Sequence, residues 1–350
     1  MLATTTAPLS RIQVRQSVDS LSLADASGAE LGLICGYQVF AHGRPKELHV
    51  QDLPLALAAT DAVTWLHFNL SDLRVRRWLL ATPHLPMLFR EALQELEGNR
   101  RIEAVEDGVL LVLNDLGYQS SDDPDETGAL WCYADSRRLI TARVHALKSP
   151  DDFRQRLRLG AVTSSGIELL AQLLDLRSDR LRALARQMSA QLDRIEDEIL
   201  AGNVKLQREY LGRTRRTCAR LRRQFAPERI ELAKFMRTRS RFSASDHEAL
   251  AAMIDNLAFA IEELSELYER AKLLQEELAS RLAESTSRNL YTLSVLTAVL
   301  LPMTLVTGVF GMNVAGLPGM RNASAFWHVM LLIFASGGLT LAALRWRKLL

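Results

Sequence analysis

Leu290, Ser294, Thr297, Leu301, Thr304 and Gly308 recur at intervals of three and four residues, so on a helix they share one face. The face is small and mildly polar toward its far end. Two chemistries suit it: lining a narrow pore, or letting another helix approach closely, as small residues do in membranes. The spacing leaves both open. At Gly308 begins the stretch GVFGMNVAGLPG, whose glycines are poor at continuing a helix, and Asn313 stands in it with no charged residue near. A little further on, His328 has the chemistry to bind a transition metal or a proton, or simply to sit among lipid headgroups.

Elsewhere no catalytic constellation is found. His42, His49, His67, His84 and His145 are scattered, with no H-E-x-x-H pattern, and there is no G-x-x-x-x-G-K-[ST] phosphate loop. His67, in WLHFNL, reads as a core or half-buried residue. Cys35, Cys132 and Cys218 are far apart and odd in number, which suits neither a disulfide framework nor a thiolate metal site. An enzyme is not expected, nor a resident cofactor. A formal net charge of +2 gives no reason to expect nucleic acid.

The elements that must carry the small face are membrane spans. From Asn289 to Met320 there is no Asp, Glu, Lys or Arg, and Leu290–Phe310 has the length of a spanning helix. A second uncharged stretch, Asn322–Leu344, follows Arg321, so the pair reads as a helical hairpin. Arg288 precedes the first span, and Arg345, Arg347 and Lys348 follow the second, which puts both termini in the cytoplasm and the loop outside. Trp327 and Trp346 suit interfacial anchors. Pro302 can kink the first span. Two spans cannot enclose a hydrophilic path alone, so conduction requires several subunits.

Ahead of the membrane the chain is strongly helical. Leu250, Ile254, Leu257, Ile261, Leu264, Tyr268 and Ala271 step by four and three, a coiled-coil-like period that asks for partners. Ser245 with Glu248 suggests a capping box, and the helix is expected to run unbroken to Phe310. Two further helical segments precede it, with Pro227 breaking the second or starting a new turn. An arginine block (Arg213, Arg215, Arg216, Arg220, Arg222, Arg223) and a glutamate block (Glu262, Glu263, Glu266, Glu269, Glu276, Glu277) suggest pairing with acidic helices, anionic lipid or solvent. The front of the chain alternates strands and helices, an α/β domain. GLICGYQVF and VTWLHFNLSD read as strands, RIEAVEDGVLLVLNDLGY and ALWCYADSRRLITARV as a meander, QSSDDPDETG as a hairpin loop, and SPDDFRQRLRLG as a short helix capped by Ser149.

The expected organisation is thus an α+β membrane protein. Its parts are an α/β domain (1–160), a helical hairpin (161–244), a long stalk helix continuing into the first span (245–310), an external loop (311–324), a second span (325–344) and a basic tail (345–350).

Gly311-Met312-Asn313 at the end of the first of two C-terminal spans resembles the signature of the CorA-type divalent-cation channels and transporters. The continuation VAGLPG and the following AFW are most similar to the ZntB zinc-transporter branch. The resemblance implies a funnel-shaped homopentamer in the inner (plasma) membrane, with the first spans around a central pore. Asn313, supported by Gly311 and Met312, then forms a ring that receives a hydrated cation. A neutral amide can hydrogen-bond the water shell without stripping it. Zn²⁺ is the expected ion, with proton coupling as a further expectation. Mg²⁺, Co²⁺, Ni²⁺ and Cd²⁺ are the other candidates. Two departures stand out: the loop VAGLPGMRNASA has no acidic residue, and Ala315 replaces the second glycine of a pair common in the zinc branch. A membrane-anchored oligomeric scaffold without transport is the alternative from another class.

Overall fold

The computed structural model describes residues 32–40, 44–59, 61–95, 99–105, 107–118, 126–160, 163–200, 207–238, 242–312 and 324–347. The described residues fall into two units, one within 1–201 and 209–272, the other within 202–208 and 273–350.

The first unit carries strands β1 (Leu33–Val39), β2 (Lys46–Glu47), β3 (Val63–Asn69), β4 (Arg101–Val105), β5 (Gly108–Leu116), β6 (Thr127–Ala134) and β7 (Arg138–Arg143). They form one sheet in the order β2-β1-β3-β7-β6-β5-β4. The expected meander is β4 to β7, all antiparallel. It joins the front strands through a parallel pairing of β3 with β7, in which Trp65 lies opposite Leu139 and His67 opposite Thr141. Much of the anticipated loop, residues 119–125, lies outside the described residues.

Both faces of the sheet are covered, because β3 is buried along nearly its whole length. Helices α1 (Leu53–Ala58), α2 (Leu73–Ala81) and α3 (Met87–Ala92) cover one face. There Leu66 and Phe68 join Leu53, Val75, Leu79 and Phe89 in one apolar cluster. Period-two alternation sends Trp65 and His67 to the other face. On that side Trp65 meets Phe153 edge-on, with centroids 4.7 Å apart. Phe153 belongs to α4 (Lys148–Arg158), which ends where Gly160 takes a φ of 98°. The layer continues with α5 (Gly166–Leu200) and α6 (Gln207–Thr238). Helix α5 starts hard against the beginning of β7: a Cβ on Gly166 would lie 2.3 Å from the Arg138 carbonyl oxygen.

Several local expectations are corrected. Ser149 does not cap α4. It lies inside the first turn, fully buried, and its hydroxyl donates to Asp115 Oδ1 at 2.7 Å. Pro227 does not break α6; buried Phe225, Glu228 and Leu232 hold the helix in line on either side of it. The long helix α7 (Ala244–Phe310) begins one residue before Ser245. Its cap is Ser243, whose Oγ accepts from the Asp246 N–H at 3.1 Å and donates to Asp246 Oδ2 at 2.7 Å.

The seam on α7 is also turned slightly from the expected one. Leu250, Met253, Leu257, Ala260, Leu264, Leu267 and Ala271 are buried, a strict four-and-three repeat, whereas Ile261 and Tyr268 are only half-buried. The same chain covers it. Helix α5 runs parallel to α7 through polar rungs: Asn256 Nδ2 donates to Asp175 Oδ1 (2.7 Å), Arg182 pairs with Glu263 (3.3 Å), and Arg270 pairs with Asp193 (2.6 Å) and Glu196. This seam therefore supplies no demand for a second chain.

Two polar clusters sit inside the unit. Arg177 and Glu228 form an ion pair at 2.8 Å with neither side chain exposed. Arg177 also donates to the Asn114 carbonyl at 2.7 Å, and Asn114 returns its backbone N–H (2.8 Å) and side-chain amide (3.1 Å) to Glu228. Next to it on β5, burial pushes the Asp115 carboxyl up to about 6, against three donors from Ser149 and Leu116 that favour its charge. On β3, burial first and then the Arg143 charge push His67 down to about 3. Arg143 Nε donates to its Nε2 at 3.2 Å, so Nδ1 carries the proton and donates to Thr141 Oγ1 at 2.8 Å. His67 is thus a satisfied, neutral core residue.

Candidate ion pathway

In the second unit two helices are long and apolar enough to cross a membrane: the end of α7 and α8 (Ala325–Trp346), which runs two residues past the expected Leu344. Apolar side chains stand exposed on both, among them Leu293, Leu296, Leu305, Leu331, Phe334 and Leu339. Water would penalise such a surface, whereas hydrocarbon does not. Trp327 and Trp346, at 73% and 87% exposure, mark the two ends of α8.

Helical backbone bonding runs through both spans, except at Pro302, which has no N–H to give, and the hydroxyls also turn back on their own helix. Thr297 donates to the Leu293 carbonyl at 2.8 Å, Thr304 to those of Leu300 (3.0 Å) and Leu301 (2.8 Å), and Thr340 to that of Ser336 (2.9 Å). A threonine whose proton is spent this way keeps oxygen lone pairs pointing outward. It can accept from water or face a cation, but it has no donor left for an anion.

One stripe of the α7 span is partly covered: Val295, Val299, Pro302, Met303, Val306 and Phe310 are half-buried. Its partner on α8 is marked by Gly337, the buried residue of that helix, where a Cβ would lie 2.9 Å from Met303 Sδ. Leu290, Ser294, Thr297, Leu301, Thr304 and Gly308 are all exposed. At 3.6 residues per turn they centre roughly 160° around the helix from the covered stripe. The hairpin thus uses one side of the span for its own packing and leaves these six on the opposite side. The covered stripe went unnamed in the sequence reading, although its apolar three-and-four spacing was there to be read.

Past Phe310 the helix closes with the Gly311 N–H on the Thr307 carbonyl at 2.8 Å and the Met312 N–H on the Val309 carbonyl at 3.4 Å. Gly311 does not have a positive φ. Its constraint is a close approach, since a Cβ would lie 2.9 Å from the Thr307 oxygen. Met312 is exposed, and Asn313 lies outside the described residues. His328 is exposed in the first turn of α8, its Nδ1 2.8 Å from the Ser324 carbonyl oxygen, which leaves Nε2 outward. Among the described residues no three His, Cys, Asp or Glu side chains come together as a metal site.

The family described as CorA-like Mg²⁺ transporter protein matches residues 60–346. A relative in Pseudomonas aeruginosa, the divalent cation transporter CmaX, is 29% identical over 310 residues, covering 88% of this chain and 93% of its own. The zinc transport protein ZntB of Klebsiella pneumoniae subsp. pneumoniae is 28% identical over 275 residues, covering 78% and 82%. Among solved structures, full-length CmaX superposes with a TM-score of 0.76 at 28% identity, covering 92% of this chain and 99% of that one. The CorA magnesium transporter of Methanocaldococcus jannaschii shares the fold, with a TM-score of 0.71 at 17% identity over 89% and 98%. A match over more than half the chain, together with a hairpin of two lipid-suited helices, makes the protein a divalent-cation transporter and not an enzyme, and it belongs to the CorA-like Mg²⁺ transporter family.

Proposed function

We propose that the protein carries Zn²⁺ into the cell through a central pore lined by the α7 span, in a homopentamer with both termini in the cytoplasm. The observation that carries this reading is the row Leu290, Ser294, Thr297, Leu301, Thr304 and Gly308, exposed opposite the stripe that packs toward α8. Within it, Thr297 and Thr304 turn only lone pairs outward. Leu301 forms the narrowest, dewettable ring, and Gly308 leaves room toward the mouth. Gly311, Met312 and Asn313 receive the hydrated ion there, the amide holding the water shell. His328 is the nearest candidate for a proton or metal stop beside that mouth.

Zinc is favoured by GMNVAGLPG and by the ZntB relative, and inward movement by electrostatics. A divalent ion gains roughly 4.6 kcal/mol per ~100 mV of inside-negative potential. Proton coupling would add to that drive. The second reading is a Mg²⁺ channel of the same architecture, favoured by the family's description, with Co²⁺, Ni²⁺ and Cd²⁺ as other ions the site would admit. Purified oligomer in liposomes separates them. Zn²⁺ uptake that exceeds Mg²⁺, Co²⁺ and Ni²⁺ uptake and responds to an imposed pH gradient is the expected result. Mg²⁺ flux without Zn²⁺ flux selects the second reading, and absence of all four fluxes sinks both.

A further inference from the structure

Two exposed rows on α6 and α7 carry opposite charge. On α6, Arg216, Arg223, Ile230 and Arg237 stand at seven-residue intervals, opposite the buried side formed by Leu221, Phe225, Glu228 and Leu232. On α7, Asp255, Glu262 and Glu269 form one file and Phe259 and Glu266 the file beside it, opposite buried Leu257, Ala260, Leu264 and Leu267. Ile230 and Phe259 are each 59% exposed. Among the described residues, none of these arginines or carboxylates is in an ion pair. The two rows face away from the shared core, so one chain cannot bring them together.

They nevertheless match in level. The Arg222 guanidinium lies 5.4 Å from the Tyr268 ring centroid, which sets α6 against α7, and a short connection makes the two helices antiparallel. Counting from that contact at about 1.5 Å per residue puts Arg223 level with Glu266, Ile230 with Phe259 and Arg237 with Asp255, each to within about 3 Å. Rotation about an axis along the helices preserves level. A head-to-tail contact of one patch with a different patch is also what closes a ring.

We propose that the α6 row of one copy docks on the α7 row of the next copy in the ring, with Ile230 against Phe259 and the arginines against the carboxylates on either side. This rests on the oligomer proposed above and assigns its cytoplasmic contact.

The test uses the full chain in detergent or nanodiscs. Ile230→Cys with Phe259→Cys places one half of a disulfide on each row, while the native Cys35, Cys132 and Cys218 are buried. Oxidation of the double variant should give a covalent ladder ending at the full oligomer, and neither single variant should. Arg223→Glu or Glu266→Arg should each cut the ladder about tenfold, and together restore most of it, because like charges face each other only in the singles. An intact oligomer that gives no ladder overturns the proposal and turns the α7 carboxylates toward solvent or a water-filled interior. A ladder indifferent to both reversals removes the arginine–carboxylate contact from it. Native mass spectrometry showing only monomers of the unmodified chain overturns the ring itself, and this contact with it.

Discussion

The sheet-bearing unit and the hairpin solve the same problem in opposite ways. In the first, a charge that goes inward meets its counter-charge: Arg177 and Glu228 are fully buried, bonded to each other through Arg177 Nη1 and both to Asn114, while apolar residues fill both faces of the sheet. In the second, apolar residues go outward, and each hydroxyl described at a bond turns back on its own helix. Burying a charge is costly unless it is paired, and exposing hydrocarbon is costly unless the solvent is lipid. The first unit therefore stakes its stability on internal pairs. The second leaves one face of a span uncommitted, and that face is where transport is proposed.

If this contrast holds, damage to the first unit should appear as lost stability and damage to the second as altered flux. Glu228→Ala strands a buried arginine and two Asn114 donors, and should cost about 3–5 kcal/mol in unfolding of the full chain followed by tryptophan fluorescence. Glu228→Gln keeps the acceptor for Asn114 and should cost less. A wild-type melting profile for the alanine variant would break the comparison.

The second effect is a pair of opposed pH slopes. Asp115 titrates near 6 when folded against an ordinary 3.8, so its folded state retains the proton longer. Its contribution to stability is present below about pH 4 and is lost as pH rises to 6, at about 1.4 kcal/mol per pH unit. His67 titrates near 3 when folded against an ordinary 6.5. Its contribution is present above pH 6.5 and is lost as pH falls through that window, with a similar slope. The two offset each other between pH 4 and 6. Relative to wild type, Asp115→Asn should therefore gain stability as pH rises from 4 to 6, and His67→Asn should gain as pH falls from 6 to 4. Parallel profiles for all three proteins would remove both groups from the balance.

Flux effects should be smaller in energy but confined to the hairpin. Asn313→Ala should leave oligomer abundance and melting unchanged yet lower initial Zn²⁺ uptake per oligomer about tenfold, or ~1.4 kcal/mol in the barrier. Wild-type uptake per oligomer would leave Gly311-Met312-Asn313 as a turn. Leu301→Ser should raise leak and blur ion preference by a few-fold, under ~1 kcal/mol. Unchanged flux in folded protein would place Leu301 on lipid or a neighbouring helix.

Much of the membrane unit can be read from the chain alone. A span must be apolar for its whole length, and a run without charge from Asn289 to Met320 satisfies that whatever surrounds it. The three-and-four spacing of the six α7 residues likewise follows from the helix and nothing else. The sequence also suffices for the strands, since buried strands leave continuous apolar runs. It does not suffice for their partners. The pairing of β3 with β7 joins residues 74 apart, and alternation states which face a side chain takes but not which strand lies beside it. Tertiary contacts decided the remaining points. Ser149 serves Asp115 and not a helix cap, because α4 already begins at Lys148 and the buried Asp115 carboxylate needs donors. Pro227 stays within α6 because buried residues on both sides hold it there. The α7 seam turned from Ile261 and Tyr268 to Ala260 and Leu267 because the covering helices of the same chain, α5 with its polar rungs among them, set which side of α7 is buried, and only the packed neighbour can choose between positions one residue apart.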